Sequence, residues 1–331
     1  MSTPQVSVLM TAYNRESFIA SAIESVLAQT LGDFELVVVD DCSQDGTLDV
    51  ARAYERLDSR IRVVVNENNL GDYPNRNRAA ALARGPLLKY HDSDDLMYPH
   101  CLSVMVSMLL SEPGAGFGLS CVGWPGGPCP MLLTPHMAYQ REFLGQGLFM
   151  CGPSGALFRT VTFRALGGFP DRGVHSDSLF WLAACAVVPV VLLPADLFWY
   201  RVHSGQEVQR PRALYDEFPV FKAFWDALGN GACPLTADER EQAKRNLAYI
   251  LAKKLCYDLR SGRWALAWKR LLCSGLDVPD WLTYLRPPKR DAFAGTPLGP
   301  DGEFIVPEWV RPKRTVMPNT LRGEVPAPQP D

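Results

Sequence analysis

No run of Lys or Arg in this 331-residue chain forms a basic stripe, and a formal charge of −3 argues against nucleic acid as a partner. Its nine cysteines include no CxxC pair and no Cys/His zinc spacing. They read as reduced, mostly buried thiols of a cytoplasmic protein. The first residues lack a basic n-region and an apolar h-region before a strand begins at Val6, so no secretory signal is expected. The longest apolar run, LFWLAACAVVPVVLLPA within residues 178–195, is interrupted by Pro189 and Pro194. A helix to about Ala186 and a buried strand around residues 188–193 fit it better than a membrane span. The turn after the first strand, Thr11-Ala12-Tyr13-Asn14-Arg15, has no GxGxxG, which excludes a dinucleotide fingerprint. No internal repeat is present.

What the chain does have is apolar substance: 47% hydrophobic and 21% charged residues allow a substantial core. Apolar runs at residues 6–10, 34–39, 61–65 and 86–90 read as strands, and helical spacing is found at 16–29, from 45–47 onward, at 75–84 and at 98–111. In the first helix, Ile19, Ile23, Val26 and Leu27 share one face. This alternation predicts an α/β fold with a largely parallel sheet. Residues 112–140 lose any period and read as a long irregular loop or wall. A buried helix follows Asp177. Residues 236–272 read as two helices breaking near Ser261-Gly262, and a Pro-rich tail follows Ser274. The expected organisation is an α/β domain over 1–230, C-terminal helices over 231–276, and a tail over 277–331, partly disordered at its end.

The chemistry gathers where apolar strands end in acids. One strand runs into Asp40-Asp41, another into His91-Asp92-Ser93-Asp94-Asp95. Carboxylates there are costly unless a cation or donors meet them, and the carboxyl ends of such strands are where ligands sit in open α/β sheets. Asp92-Ser93-Asp94 is a DxD pattern, able to place one carboxylate on Mg²⁺ or Mn²⁺ and another on a ribose or a water. Taken alone, Asp-Ser-Asp is equally at home in a solvated turn.

Four linked segments make the pattern more specific: VSVLMTAYN from Val6, SVLAQT from Ser25, FELVVVDDCSQDGT from Phe34 and HDSDDLMYP from His91. In order and spacing they resemble the family 2 glycosyltransferases of the GT-A fold, over roughly residues 5–205. The resemblance implies an inverting enzyme that moves a sugar from a nucleotide diphosphate donor. It places Thr11 and Tyr13 beside the base or ribose, and Asp41, backed by Asp40, as acceptor from the base. A carboxylate facing a pyrimidine N–H favours uracil or thymine, hence a UDP-sugar. Arg76, in Asn75-Arg76-Asn77, matches a donor-supporting position. Asp94 resembles the metal ligand, and Asp92 with Ser93 the nucleotide-sugar contact. Asp95 reads as a helix-start carboxylate.

Gly152 opens GPSGALFRTVTFRALGGF, which resembles the family's acceptor-side segment. Asp177 matches the Asp of its Glu-Asp pair, the catalytic base, while Ser176 stands where Glu is common. An Asp at the mouth of an apolar helix is partly desolvated, which raises its pKa toward a useful base. Tyr200-Arg201-Val202-His203 resembles the family's Tyr-Arg-x-His and makes His203 a second metal ligand. The implied cofactor is Mn²⁺ or Mg²⁺, the implied acceptor a glycan or lipid-linked glycan in bacterial surface-polysaccharide synthesis, at the inner face of the membrane. Lys253, Lys254, Lys269 and Arg270 beside apolar residues are compatible with peripheral membrane contact or a homodimer, and chiefly with packing on the catalytic domain. Rival readings are a catalytically degenerate nucleotide-sugar-binding subunit and a sugar nucleotidyltransferase. The second lacks its Gly-rich, basic loop after the first strand.

Overall fold

The computed structural model describes residues 3–120, 129–149, 151–203, 206, 213–277, 279–280 and 283. The N-terminal part alternates as its sequence predicts: β1 (Val6–Ala12), α1 (Glu16–Leu27), β2 (Phe34–Asp40), α2 (Thr47–Leu57), β3 (Ile61–Val65), α3 (Asp72–Leu82) and β4 (Leu87–Tyr90). Helix α3 starts earlier than periodicity suggests because Pro74 sits in its first turn, where a missing N–H costs nothing. Then follow β5 (Leu96–Met97), α4 (Cys101–Leu110), β6 (Phe117–Ser120), β7 (Met131–Leu133), α5 (Pro135–Leu144), β8 (Ala156–Arg159), α6 (Thr160–Ala165), α7 (Ser176–Cys185), β9 (Val190–Leu193) and β10 (Phe198–Trp199). Then come α8 (Ala213–Gly229), α9 (Ala237–Arg260) and α10 (Trp264–Cys273).

The main sheet has the order β3-β2-β1-β4-β8-β6-β9-β7. Neighbours from β3 to β4 are parallel, β8 runs antiparallel to both β4 and β6, and β9 is parallel to β6. This is a mostly parallel sheet flanked by helices, the GT-A arrangement. Strands β1 and β2 are buried on both faces, which explains their unbroken apolar runs. Val6, Val8, Met10, Leu36 and Val38 point to the layer of α1, α2 and α4. Leu9, Val37 and Val39 point to the opposite layer, shared with α3 and α5 to α9.

The expectation of an irregular wall over 112–140 is corrected: β6, β7 and the start of α5 lie there. Strand β6 escapes a periodicity reading because it is four residues long and buried on both faces. A Cβ on its Gly118 would stand 2.8 Å from Leu193 Cδ1, so the buried Leu193 side chain would have to shift to admit one. The Pro125-Gly126-Gly127-Pro128 stretch and most of the 277–331 tail lie outside the described residues. Helix α8 has no counterpart among the sequence-derived elements. The expected helix-then-strand reading of 178–195 holds as α7 and β9, and no described helix is long and apolar enough to cross a membrane. The described cysteines are free thiols.

Packing rather than propensity fixes α7. Phe180 and Trp181 enter an aromatic cluster with Phe117, Phe158, Phe163 and Phe169, with Trp181 stacked 5.6 Å from Phe158. Trp181 Nε1 donates to the Cys151 carbonyl at 2.7 Å, so the buried indole is satisfied. Burying two such side chains stabilises the helix by about 3–6 kcal/mol, on roughly 1.5–3 per large apolar group. The N-terminus of α7, carrying Asp177, is thereby anchored against the sheet.

Candidate active site

The strand order places the ends of β2, β1 and β4 side by side, and with them Asp40-Asp41, Thr11 to Arg15, and Asp92 to Asp94. Two non-glycine residues there take left-handed backbone angles, Asn14 (φ 53°) and Cys42 (φ 62°). Such angles cost energy and persist where the surroundings fix them. The Asn14 N–H donates to Ser43 Oγ at 3.0 Å, and Asn14 Oδ1 accepts from the Gln44 N–H at 2.8 Å. Asp45 Oδ2 accepts from the Glu16 N–H, and Glu16 Oε2 from the Gly46 N–H. A Cβ on Gly46 would meet Glu16 Oε1 at 2.6 Å, so the glycine permits this lock.

Asp41 is buried and its carboxylate is met by the chain itself. Oδ1 accepts from Asn66 Nδ2 (2.6 Å) and the Leu70 N–H (2.8 Å), and Oδ2 from the Gly71 N–H (2.9 Å). It therefore shapes the loop between β3 and α3. Asp40 gives Oδ2 to the Ser43 N–H, while its buried Oδ1 has no partner among the described residues. Thr11 pairs with Val39 across the sheet, and Tyr13 stands 40% exposed at the strand end.

Arg76 is buried between two carboxylates. Its Nε donates to Asp72 Oδ1 at 2.8 Å and its Nη2 lies 2.7 Å from Asp92 Oδ1. Burial opposes its charge, but Asp72 and Asp92 hold its pKa well above the ordinary value. Burial likewise pushes Asp92 up, and Arg76 overrides it, leaving that carboxyl below its usual range. Asn75 and Asn77 brace this helix: Asn75 Oδ1 accepts from Asn66, and Asn77 exchanges two hydrogen bonds with the Phe169 backbone. Ser93 is buried, and the Asp92 N–H donates to Ser154 Oγ at 3.0 Å.

Asp94 and His203, 109 residues apart, come together: His203 Nε2 stands 3.0 Å from Asp94 Oδ2. Arg15 Nε donates to the same oxygen at 3.0 Å. The His203 ring packs on Phe18 at 4.4 Å. Arg201 holds the segment by donating from Nε to the Asp94 carbonyl and from its N–H to Asp95 Oδ1. Asp95 is thus corrected from a helix-start residue: β5 follows it, and α4 begins only at Cys101. Burial, then the Asp92 charge, pushes its pKa to about 8. Its Oδ2 is buried without a partner among the described residues.

Among the described residues no three His, Cys, Asp or Glu side chains are arranged to hold one metal ion. One carboxylate with one imidazole is nevertheless a donor set that fits Mn²⁺ or Mg²⁺, ions that commonly fill their remaining positions with substrate phosphates and water.

Asp177 lies in the first turn of α7, one residue inside the helix, so it is not the N-cap; His175 occupies that position. Its Oδ1 accepts from the Ser178 N–H at 2.7 Å. Burial raises its pKa to about 6, against the pull of that N–H and of the Arg76 charge. Tyr73 donates from its hydroxyl to the Val174 carbonyl at 3.1 Å, tying α3 to the turn before α7. Ser176 is fully buried and holds that turn, accepting from the Arg172 N–H and donating to the Gly173 carbonyl.

Sequence reasoning missed Arg15, Asp72 and Ser154. Asp72 had a usable signal, four residues before Arg76 on a helix. Arg15 and Ser154 had none, since their partners are distant in sequence.

The glycosyl transferase family 2 model matches residues 7–167. Segments matched in the first three curated relatives span only 28–39% of those chains. A longer match is to WfgD of Escherichia coli, a UDP-Glc:α-D-GlcNAc-diphosphoundecaprenol β-1,3-glucosyltransferase, 40% identical over 78% of this chain and 98% of the relative. This chain belongs to glycosyltransferase family 2. Solved structures agree on the fold. Staphylococcus aureus TarS 1–349 in complex with UDP-GlcNAc aligns with a TM-score of 0.57 at 18% identity, over 90% of this chain and 95% of the other. The Pyrobaculum calidifontis mannosyltransferase PcManGT, in complex with GDP-Man and Mn²⁺, aligns at 0.56 and 19% identity, over 86% and 87%. The family model ends before Asp177 and His203, so in this glycosyltransferase both lie beyond the matched motif region.

Proposed function

We propose that this glycosyltransferase inverts configuration at the anomeric carbon of a nucleotide diphosphate sugar, a UDP-sugar in particular. The observation that carries the reading is Asp177, a largely desolvated carboxylate in the electrostatic field of the Arg76 that pairs with Asp92. Asp177 accepts the proton of the acceptor hydroxyl as that oxygen attacks, and a pKa near 6 leaves it ionised at neutral pH. One displacement needs no covalent intermediate. Thr11, Tyr13 and Asp41 take the nucleoside side, with Arg76, Asp92 and Ser93 toward the sugar diphosphate. Asp94 and His203 would hold a divalent ion, which would supply neutralisation of charge on the leaving diphosphate. Arg15, paired with Asp94, adds a cation at the same place.

The acceptor is a glycan or lipid-linked glycan of bacterial surface-polysaccharide synthesis, handled at the cytoplasmic face of the membrane. WfgD, whose name specifies a UDP-Glc donor and a diphosphoundecaprenol acceptor, supports both halves of this reading. In this organisation residues 1–230 carry the chemistry and 231–276 buttress it.

Calorimetric titration with UDP, dTDP, GDP and CDP, with and without Mn²⁺, tests the donor site. UDP binding that depends on Mn²⁺ and weakens roughly tenfold or more in Asp94→Ala is the expected result. No binding of any diphosphate would remove the donor assignment and favour a degenerate assembly subunit.

A further inference from the structure

Helix α10 has two unlike faces. Leu266, Ala267 and Arg270 are buried, and Arg270 Nε donates to the buried Asp258 Oδ2 at 2.9 Å. On the outer side, Trp264 (67%), Trp268 (63%) and Leu272 (66%) stand exposed at i, i+4 and i+8, with Leu259 of α9 (40%) also uncovered. Two tryptophans mostly in water on one helix stripe are expensive for a solvent face.

The charges along the stripe are mostly basic. Residues 253–273 carry Lys253, Lys254, Arg260, Arg263, Lys269 and Arg270 against a single acid, Asp258. That acid is buried and already shared by Arg263 at 2.8 Å and Arg270 at 2.9 Å. Lys253, Arg260, Arg263 and Lys269 are exposed.

We infer that the α10 stripe and the end of α9 form a docking face for an anionic lipid surface. Trp264, Trp268 and Leu272 enter the interface while the basic residues meet the headgroups. Complementarity selects this occupant. A second copy docked face to face would oppose the same cationic patch to itself. Residues 284–331 carry seven Lys/Arg against six Asp/Glu, so the tail offers no acidic counterpart. Helix α10 packs on α8, which packs on α7, the helix bearing Asp177. The face is therefore mechanically continuous with the acceptor side, and the inference deepens the lipid-linked-acceptor reading on which it rests.

The test is co-sedimentation of the full-length protein with vesicles of phosphatidylethanolamine and phosphatidylglycerol, against phosphatidylcholine alone. Binding is expected to the anionic vesicles and to weaken steeply at high salt. Trp264→Ser/Trp268→Ser and, separately, Lys253→Glu/Arg260→Glu are each expected to lower it roughly tenfold or more, with UDP affinity and thermal unfolding as in the parent. The charge pair keeps the test decisive if the tryptophan pair fails to fold. Equal binding by parent and variants, or no binding by the parent, overturns the inference. So does a dimer lost in the variants, or vesicle binding that emerges only after residues 284–331 are removed. UDP titration of the same samples reads the donor site independently, so failure of one reading is distinguishable from failure of the other.

Discussion

The carboxylates on the two sides of the site are held in opposite ways. On the donor side, Asp41 receives three hydrogen bonds from its own chain, and Asp94 is met by Arg15 and His203. On the acceptor side, Asp177 is largely buried, with the Ser178 N–H at 2.7 Å and weaker help from the Ser178 and Tyr73 hydroxyls. Dense hydrogen bonding fixes a carboxylate in place, whereas burial raises the Asp177 carboxyl to about 6, where it can take a proton. On the proposed reading, the first set positions the donor and Asp177 takes the acceptor's proton.

The sharpest break of this contrast is Asp177→Asn. Turnover should fall by roughly 10²–10⁴-fold, the usual worth of a general base, with UDP affinity unchanged; equal losses in both would place Asp177 on the donor side. Next is Asp41→Ala, which removes the acceptor of the Leu70 N–H and one bond each from Asn66 and Gly71, which keep Asn75 Oδ1 and Asn69 Oδ1. Leaving a buried donor unsatisfied costs about 1–3 kcal/mol, and a loss of that size should show in denaturant titrations. An Asp41 variant as stable as the parent would show that the loop does not depend on it.

A pH-dependent break concerns Asp95, whose folded carboxyl is raised from 3.8 to about 8. The native state then holds a proton that the unfolded chain releases above pH 4. Stability is therefore full below about pH 4 and declines as pH rises toward 8. Asp95→Asn should flatten that decline in thermal unfolding between pH 5 and 8; an unchanged slope would assign it to other groups.

The donor half was legible in sequence because its units are local. Strands β1 to β3 with the helices between them follow one another in chain and in space, β4 joins beside β1, and acids at strand ends signal themselves. The stretch around β6 to β8 was not, because short strands buried on both faces carry no alternation and pair with partners dozens of residues away. The same limit separates the site residues. Asp94, Asp177 and His203 were reachable through motif resemblance, while Arg15 and Ser154 emerge only when the fold brings them to Asp94 and Asp92. Asp95 was misplaced because its partner, the Arg201 backbone, is 106 residues away.

The most direct test of the central claim is the pH dependence of kcat/KM between pH 5 and 8 with a competent acceptor. A rate that climbs about tenfold per pH unit on the acid side and levels near pH 6, as loss of one proton from Asp177 requires, is the predicted result. A profile flat across that window would show that Asp177 does not take the acceptor's proton.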